Sequence, residues 1–233
     1  MPVFQFRING DPGSVLNYDI KKIVNAGYTG RNQEEVQKHI QELKEKGIPA
    51  PAKTPTYFAK FNDRITQNEE FEVLDETDHS GEVEYVLLCT DNEIYVAVGS
   101  DHTDRKLEEV DIPKAKQVYL NTISRDVWKL SEVEGHWDEI ILRSRVEVDG
   151  KMVVFQEAPL AALLAPRDLL ERVKNLTELD SQDGLVIYSG TVAAKVDVGY
   201  SSIFESELED PRRKLKLQNR YRLVPITNWF KNK

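Results

Sequence analysis

An α+β, mostly β fold with a few helices is what this 233-residue sequence predicts, and three observations carry the prediction. Short strand-like alternations recur from end to end; Asn9-Gly10 and Asp149-Gly150 are dipeptides of the tight-hairpin kind; and helical periodicity is confined to two stretches. Phe4, Phe6 and Ile8 alternate with Gln5 and Arg7 before Asn9-Gly10, so the chain opens on a hairpin strand. A helix follows: Asn32 caps it, Glu35 closes a capping box, and Val36, Ile40 and Leu43 form its apolar stripe up to Gly47. After Pro49, Pro51 and Pro55 the pattern is strand-like through Asp111, with one hairpin joining 82–90 to 93–99 across Asp91-Asn92. A second hairpin joins 140–148 to 151–156 across Asp149-Gly150. The stretch 159–175 is helical, with a break or kink at Pro166. Strands at 185–188, 214–217 and 221–226 complete the chain. No repeat or interdomain linker interrupts this order. The expected division is an N-terminal strand segment, 1–24, and one catalytic domain, 25–233.

Composition narrows the function. Lys and Arg number 31 against 40 Asp and Glu, a formal charge of −9 that repels nucleic acid backbones and anionic membrane surfaces. The expectation is therefore no nucleic acid partner and no membrane. The single cysteine, Cys89, forms no internal disulfide and no Cys-based zinc site, which points to a reducing, cytoplasmic setting. Neither a G-x-S-x-G elbow, a phosphate-binding Walker loop nor a dinucleotide fingerprint occurs, so serine hydrolase, nucleotide hydrolase and dehydrogenase readings lack support.

The densest chemistry lies between residues 82 and 105. Glu82 and Glu84 stand two apart on a strand and so share one face. The same parity continues as Val86 and Leu88 while the opposite one is Val83, Tyr85, Leu87 and Cys89, which puts the two carboxylates at the mouth of a buried strand. Carboxylates that leave water together repel one another, and a divalent cation or a shared proton relieves them. A solvated strand face is the plain alternative. Asp101, His102, Asp104 and Arg105 follow the second arm, and turn-building is their plain alternative. If the hairpin returns Asp101 to Glu82 and Glu84, three oxygen ligands suit Mg²⁺ or Mn²⁺ better than zinc.

Taken in order, these segments resemble the fumarylacetoacetate hydrolase superfamily. Glu82-Val83-Glu84, then 100–105 as Ser-Asp-His-Thr-Asp-Arg, then Lys116, is similar to its E-x-E, N-D-x-S-A-R and Lys series. The segment 55–60 is similar to P-x-x-F-x-K, 150–156 to N-G-x-x-x-Q, and Gly190-Thr191 to a late G-T turn. The resemblance spans roughly 25–226 and rests on the ordered set, since each motif alone is weak. It implies a mixed β-roll, a homodimer, and a Mg²⁺ or Mn²⁺ site for a small 2-oxo or diketo acid. Carried over, Glu82, Glu84 and Asp101 are metal ligands, Lys116 stabilises substrate charge, and Arg105 and Thr191 bind substrate. His39 and Glu42, i and i+3 on the first helix, match the family's acid–base pair. The implied reaction is hydrolytic cleavage of a carbon–carbon bond in an acylpyruvate-like acid. Decarboxylation, hydration or isomerisation at the same site is the alternative, and a noncatalytic ligand-binding or scaffold protein is the other.

Three departures mark an outlying branch. Tyr28 precedes His39 by eleven residues where the family has N-Y-x-x-H, Glu108 stands for a glutamine, and Thr103-Asp104 for Ser-Ala. Outside these motifs, Arg143 and Arg145 share a strand face and are expected to be structural or at an interface, with a substrate carboxylate as the alternative. His136 and Trp137 are expected to pack at a hairpin entrance, and His79 has no evident partner in the sequence.

Overall fold

The computed structural model describes residues 3–45, 51 and 53–229, apart from the side chains of His39, Glu42, Leu43 and Asn228. Strands β1 (Val3–Ile8) and β2 (Asp11–Asp19) form the expected hairpin, with Asn9 at φ 55° and Gly10 at φ 74°. Both signs match the mirror-image turn that suits strand twist. After β3 (Lys22–Gly27), helix α1 (Gln33–Glu45) starts where Asn32 Oδ1 accepts the amides of Glu34 at 3.1 Å and Glu35 at 3.4 Å. Then come β4 (Thr56–Lys60), β5 (Ile65–Thr66), β6 (Glu70–Val73), β7 (His79–Ser80), β8 (Val83–Cys89), β9 (Ile94–Asp101) and β10 (Thr103–Asp104).

Strand character ends at Asp104 rather than Asp111. The Asp104 carboxylate accepts from the Leu107 amide at 2.8 Å and caps α2 (Arg105–Glu108); Asp111 accepts from Lys114 at 3.1 Å and caps α3 (Ile112–Val118). Two short capped helices thus replace the end of the expected strand. Next are β11 (Asn121–Ile123), β12 (Asp126–Lys129), α4 (Leu130–Val133), β13 (Ile141–Val148) and β14 (Lys151–Pro159), the last two turning at Asp149 and Gly150 as expected. Helix α5 (Pro166–Asn175) begins at Pro166 instead of being kinked there, because a residue without an N–H fits the first helical turn. Strand β15 (Leu185–Tyr188) lies where the sequence puts it. Strand β16 (Ile203–Asp210) was not anticipated, and 214–217 with 221–226 merge into one strand, β17 (Leu215–Pro225). The acidic residues of β16 hide its alternation. Their counter-charges come from neighbouring strands: Arg143 reaches Glu207 at 2.6 Å and Glu209 at 2.9 Å, and Arg220 reaches Glu205 at 2.8 Å. Arg143 also pairs with Glu157, so this arginine serves the sheet, as expected. His136 pairs with Asp210 at 2.9 Å, and Trp137 packs edge-on against Tyr85.

Among the described residues a ten-stranded mixed sheet runs β2-β1-β12-β9-β8-β15-β3-β4, with β11 and β5 attached beside β9, and a five-stranded sheet runs β14-β13-β16-β17-β6. Strand β8 lies near the centre of the larger sheet and alternates between two cores. Val83, Tyr85, Leu87 and Cys89 face the smaller sheet, packing with Leu142, Phe204, Leu208 and Tyr221. Val86 and Leu88 face the other side, with Phe6, Ile23, Val186 and Tyr188. Glu84 shares the second parity, as does Gly99, its partner on β9. Gly99 leaves no room for a side chain: a Cβ there would lie 2.3 Å from the Thr122 carbonyl oxygen on β11. Gly99→Ala is expected to cost about 1–3 kcal/mol through overpacking, read as a lower urea midpoint with an unchanged slope. None of the described helices is long and apolar enough to cross a membrane.

Candidate metal centre

Glu82, Glu84 and Asp101 converge where the β8–β9 hairpin leaves the second core. One oxygen from each lies within 4.8 Å of the others. Backbone pairing produces the convergence: Glu84 pairs with Gly99, and the Asp101 amide donates to the Glu82 carbonyl at 3.1 Å, holding both carboxylate-bearing ends together. Asp101 is 0 % and Glu84 1 % exposed, while Glu82 lies half-buried at the rim.

Cationic side chains close around the carboxylates. Lys116, from α3, donates to Asp101 Oδ2 at 2.5 Å and to Glu82 Oε2 at 3.2 Å. Lys60, at the end of β4, donates to Asp101 Oδ1 at 3.4 Å and to Asn121 Oδ1, and Asn121 in turn donates to Asn25 Oδ1 at 3.0 Å. Arg105 donates to Glu82 Oε1 at 3.0 Å, Glu108 Oε2 at 2.8 Å and Ser80 Oγ at 2.8 Å. Glu84 instead accepts a backbone donor, the Gly190 amide at 2.7 Å, and makes no ion pair among the described residues.

These surroundings push the two glutamates apart. Burial alone would raise Glu82, but Arg105 and Lys116 beside it hold its carboxyl at about 2. Burial, together with the charges of Asp101 and Glu82, drives Glu84 well above the usual carboxylate range. Burial also lowers the Lys60 ammonium, with Lys116 adding to the effect against the pull of Asp101. For Lys116 the neighbouring Asp101 and Glu82 outweigh burial and raise it. A buried Glu84 without a cation partner among the described residues, beside two further carboxylates, could hold a hard, oxygen-loving divalent cation.

The residues picked out from the sequence therefore meet in large part. Glu82, Glu84, Asp101, Lys116 and Arg105 share one cluster. Thr191 lies next to it, but its hydroxyl donates to the Val83 carbonyl at 2.7 Å and accepts from Gln156 Nε2 at 2.8 Å, tying the 189–192 turn to β8. The helix carrying His39 and Glu42 forms as expected; the two side chains lie outside the described residues. Tyr28 sits near the cluster at φ 56°, its hydroxyl raised by burial and by the charges of Glu108 and Glu82. Asn25, Asn121 and the direct bond from Lys60 were not read from the sequence. An asparagine between apolar residues on an inner strand is the signal that marks such positions, and Asn25, flanked by Val24 and Ala26, shows it.

Residues 26–221 match the family described as DUF2848, protein of unknown function. The chain belongs to that family. Among solved structures it resembles 2-keto-3-deoxyarabinonate dehydratase at a TM-score of 0.66 and 12% identity, covering 91% of this chain and 77% of that one. Cg1458 matches at 0.61 and 16%, covering 91% and 80%. The 4-oxalocrotonate decarboxylase of Pseudomonas putida G7, solved with magnesium and adipate, matches at 0.58 and 15%, covering 86% and 77%. The dehydratase has also been solved with magnesium and 2,5-dioxopentanoate. At these identities the likeness shows the fold, the mostly β, fumarylacetoacetate hydrolase-like architecture expected from the sequence. A curated relative, the tRNA dimethylallyltransferase of Bacillus cereus (strain G9842), is 24% identical over 99% of this chain and 73% of its own length.

Proposed function

We propose that this DUF2848 protein is an outlying member of the fumarylacetoacetate hydrolase superfamily, a divalent-metal-dependent enzyme acting on a small 2-oxo acid. The observation that carries the reading is the triad of buried Glu84 and Asp101 and half-buried Glu82 with lysines on two sides. These three carboxylates would hold Mg²⁺ or Mn²⁺, which supplies Lewis-acid polarisation of a 2-oxo carboxylate when bound. Lys116, placed to donate into the same space, balances the negative charge that develops on the 2-oxo oxygen. Arg105 orients the substrate carboxylate from the rim, and Thr191, next to the cluster, binds substrate through its hydroxyl's remaining acceptor capacity.

The finer reading is hydrolysis of an acylpyruvate-like acid, in which His39 takes a proton from the attacking water and Glu42 orients its imidazole. Decarboxylation or dehydration is the second reading. It is favoured by the likeness to a decarboxylase and a dehydratase of the same fold, and it asks less of His39. Charge also narrows the substrate. Glu82, Glu84, Asp101 and Glu108 face Lys60, Lys116 and Arg105, so a divalent cation leaves one positive charge, matched by a substrate with a single carboxylate near the centre. The reading further includes a second copy of the chain as partner and a cytoplasmic setting. Prenyl transfer to tRNA is not favoured: a chain with net charge −9 has no long-range attraction for a polyanion.

Calorimetric titration of the metal-stripped protein with Mg²⁺ and with Mn²⁺, with and without oxalate as a 2-oxo acid mimic, tests the site. Binding that tightens with oxalate is the expected result, and no binding of either ion under any condition would overturn the reading. Product analysis on acylpyruvates and on 2-oxo dicarboxylates then separates hydrolysis from decarboxylation.

A further inference from the structure

Behind the carboxylates, on the face toward the smaller sheet, runs a buried chain of side chains that the proposed chemistry does not use. Ser100 Oγ accepts the Glu82 amide at 3.1 Å and lies 3.1 Å from the Tyr221 hydroxyl. The Tyr221 hydroxyl is 3.0 Å from His102 Nδ1, and His102 Nε2 is 2.8 Å from His79 Nδ1. His79 Nε2 ends the chain at the Asp75 carbonyl oxygen, 2.8 Å away. Phe71, Tyr119 and Tyr200 enclose the two imidazoles with ring centroids 4.9–5.5 Å apart.

The hydrogen positions follow from the outer end. Both rings are 1 % exposed, and each of their four nitrogens has one partner. A carbonyl only accepts, so His79 carries its hydrogen on Nε2 and accepts at Nδ1. His102 must then donate from Nε2 and accept at Nδ1; Tyr221 donates to it and accepts from Ser100, whose oxygen takes the Glu82 N–H. Every donor points away from Glu82, and each of these groups is satisfied in one arrangement. The inner end is a backbone amide, which has no proton to exchange with a substrate, so the chain is a brace rather than a proton path.

The geometry points to Tyr221, Ser100, His102 and His79 as positioning residues that hold the Glu82 backbone, and through it the Glu82 carboxylate, at the spacing a small octahedral cation requires. Glu82 is gripped at both backbone groups: its amide by Ser100, its carbonyl by the Asp101 amide. Gly81, just before it, lies close against the brace and leaves no room for a side chain: a Cβ there would lie 2.5 Å from the Tyr221 hydroxyl and 2.7 Å from Ser100 Oγ. Glu82 is the rim ligand of the triad and precedes β8, so without the brace its backbone has the freedom of a strand end. Mg²⁺ demands near-ideal octahedral geometry and Ca²⁺ tolerates irregular, wider shells, so a loosened Glu82 penalises Mg²⁺ more than Ca²⁺.

This inference rests on the metal reading above, and the test separates the two. Mg²⁺ and Ca²⁺ affinities are measured by calorimetry for the wild-type chain, Tyr221→Phe and Ser100→Ala. Tyr18→Phe is the control: its buried hydroxyl donates to the Cys89 and Leu185 carbonyls, each at 2.8 Å, remote from the triad. The expected result is a loss of Mg²⁺ affinity of about tenfold in Tyr221→Phe and Ser100→Ala, the usual size for a group supporting a ligand, with a smaller loss for Ca²⁺ and none in Tyr18→Phe. Unchanged Mg²⁺ affinity, or equal losses of both ions in all three variants, overturns the brace while leaving the metal site standing. A wild-type chain that binds neither ion overturns both. Amide hydrogen exchange on the wild-type chain decides the matter even if a variant fails to fold: protection of the Glu82 amide equal to that of central β8 supports the brace, and fast exchange overturns it.

Discussion

Glu84→Gln is expected to lose Mg²⁺ affinity by more than about 100-fold while making the metal-free protein more stable at pH 8. The first effect exceeds that of losing a supporting group because a ligand itself is removed. The second follows from the environment of Glu84. Its folded-state carboxyl is raised well above 4.5 by burial and by Asp101 and Glu82, so ionisation costs more in the fold than in the unfolded chain. A carboxyl raised in this way lowers stability as pH climbs from the unfolded value through the folded one, and the neutral amide escapes that loss. Thermal melts of both proteins without metal should coincide near pH 4 and diverge upward, with the variant ahead by a few degrees at pH 8. The same linkage makes Mg²⁺ binding release a proton in the wild-type chain below the raised value. Calorimetry in buffers of different ionisation enthalpy reads that release, and it should be absent from any residual binding by Glu84→Gln. Coincident melts at every pH would show that Glu84 is not strained in the folded protein.

Lys116→Met is expected to act in the opposite sense. Lys116 is buried and donates to both Asp101 and Glu82, so its removal takes the nearest cation from Asp101 and leaves Glu82 with Arg105 alone. Breaking a buried pair from one side costs about 3–5 kcal/mol, and Lys60 at 3.4 Å from Asp101 offsets part of it. Millimolar Mg²⁺ should restore much of the lost stability, because a cation that binds the folded state alone stabilises by mass action. Turnover should nonetheless remain at least about 100-fold down, since the donor that the proposed reading assigns to the developing negative charge is gone. Equal midpoints with and without Mg²⁺ in this variant would argue against a cation among the three carboxylates.

Much of the centre was legible in the sequence because it is local. Glu82 and Glu84 share a face by strand parity, and the hairpin across Asp91-Asn92 returns Asp101 to them; parity, turn and ligand chemistry can all be read without neighbours. Lys116 was legible only as the next member of an ordered motif series, since neither of its carboxylate contacts follows from periodicity. Lys60, Asn121 and Asn25 meet through the register of β3, β4 and β11, three strands whose pairing no local signal specifies. His79 seemed partnerless for the same reason: its contacts, His102 and through it Tyr221, lie 23 and 142 residues on in the chain and are joined by the packing of two sheets. Strand β16 was lost to its own acidic residues, whose counter-charges sit on β13 and β17. Conversely, Pro166 marks a helix start, a reading the proline supports as well as a kink.

The compactness of the acidic triad along the chain has a consequence for biosynthesis. All three carboxylates belong to one hairpin and its approach, whereas Lys116 follows Asp101 by 15 residues and is presented by a separate helix. At about 5–20 residues per second, the ribosome supplies the acidic residues roughly one to three seconds before Lys116, the cation nearest to Asp101. Hairpins close within microseconds, but an isolated one is marginal. Closure therefore proceeds from Asp91-Asn92 toward an open end where like charges collect. On the nascent chain the last pairs of that ladder meet Lys60, made before the hairpin, and Arg105, four residues beyond Asp101, before Lys116 completes the set of counter-charges.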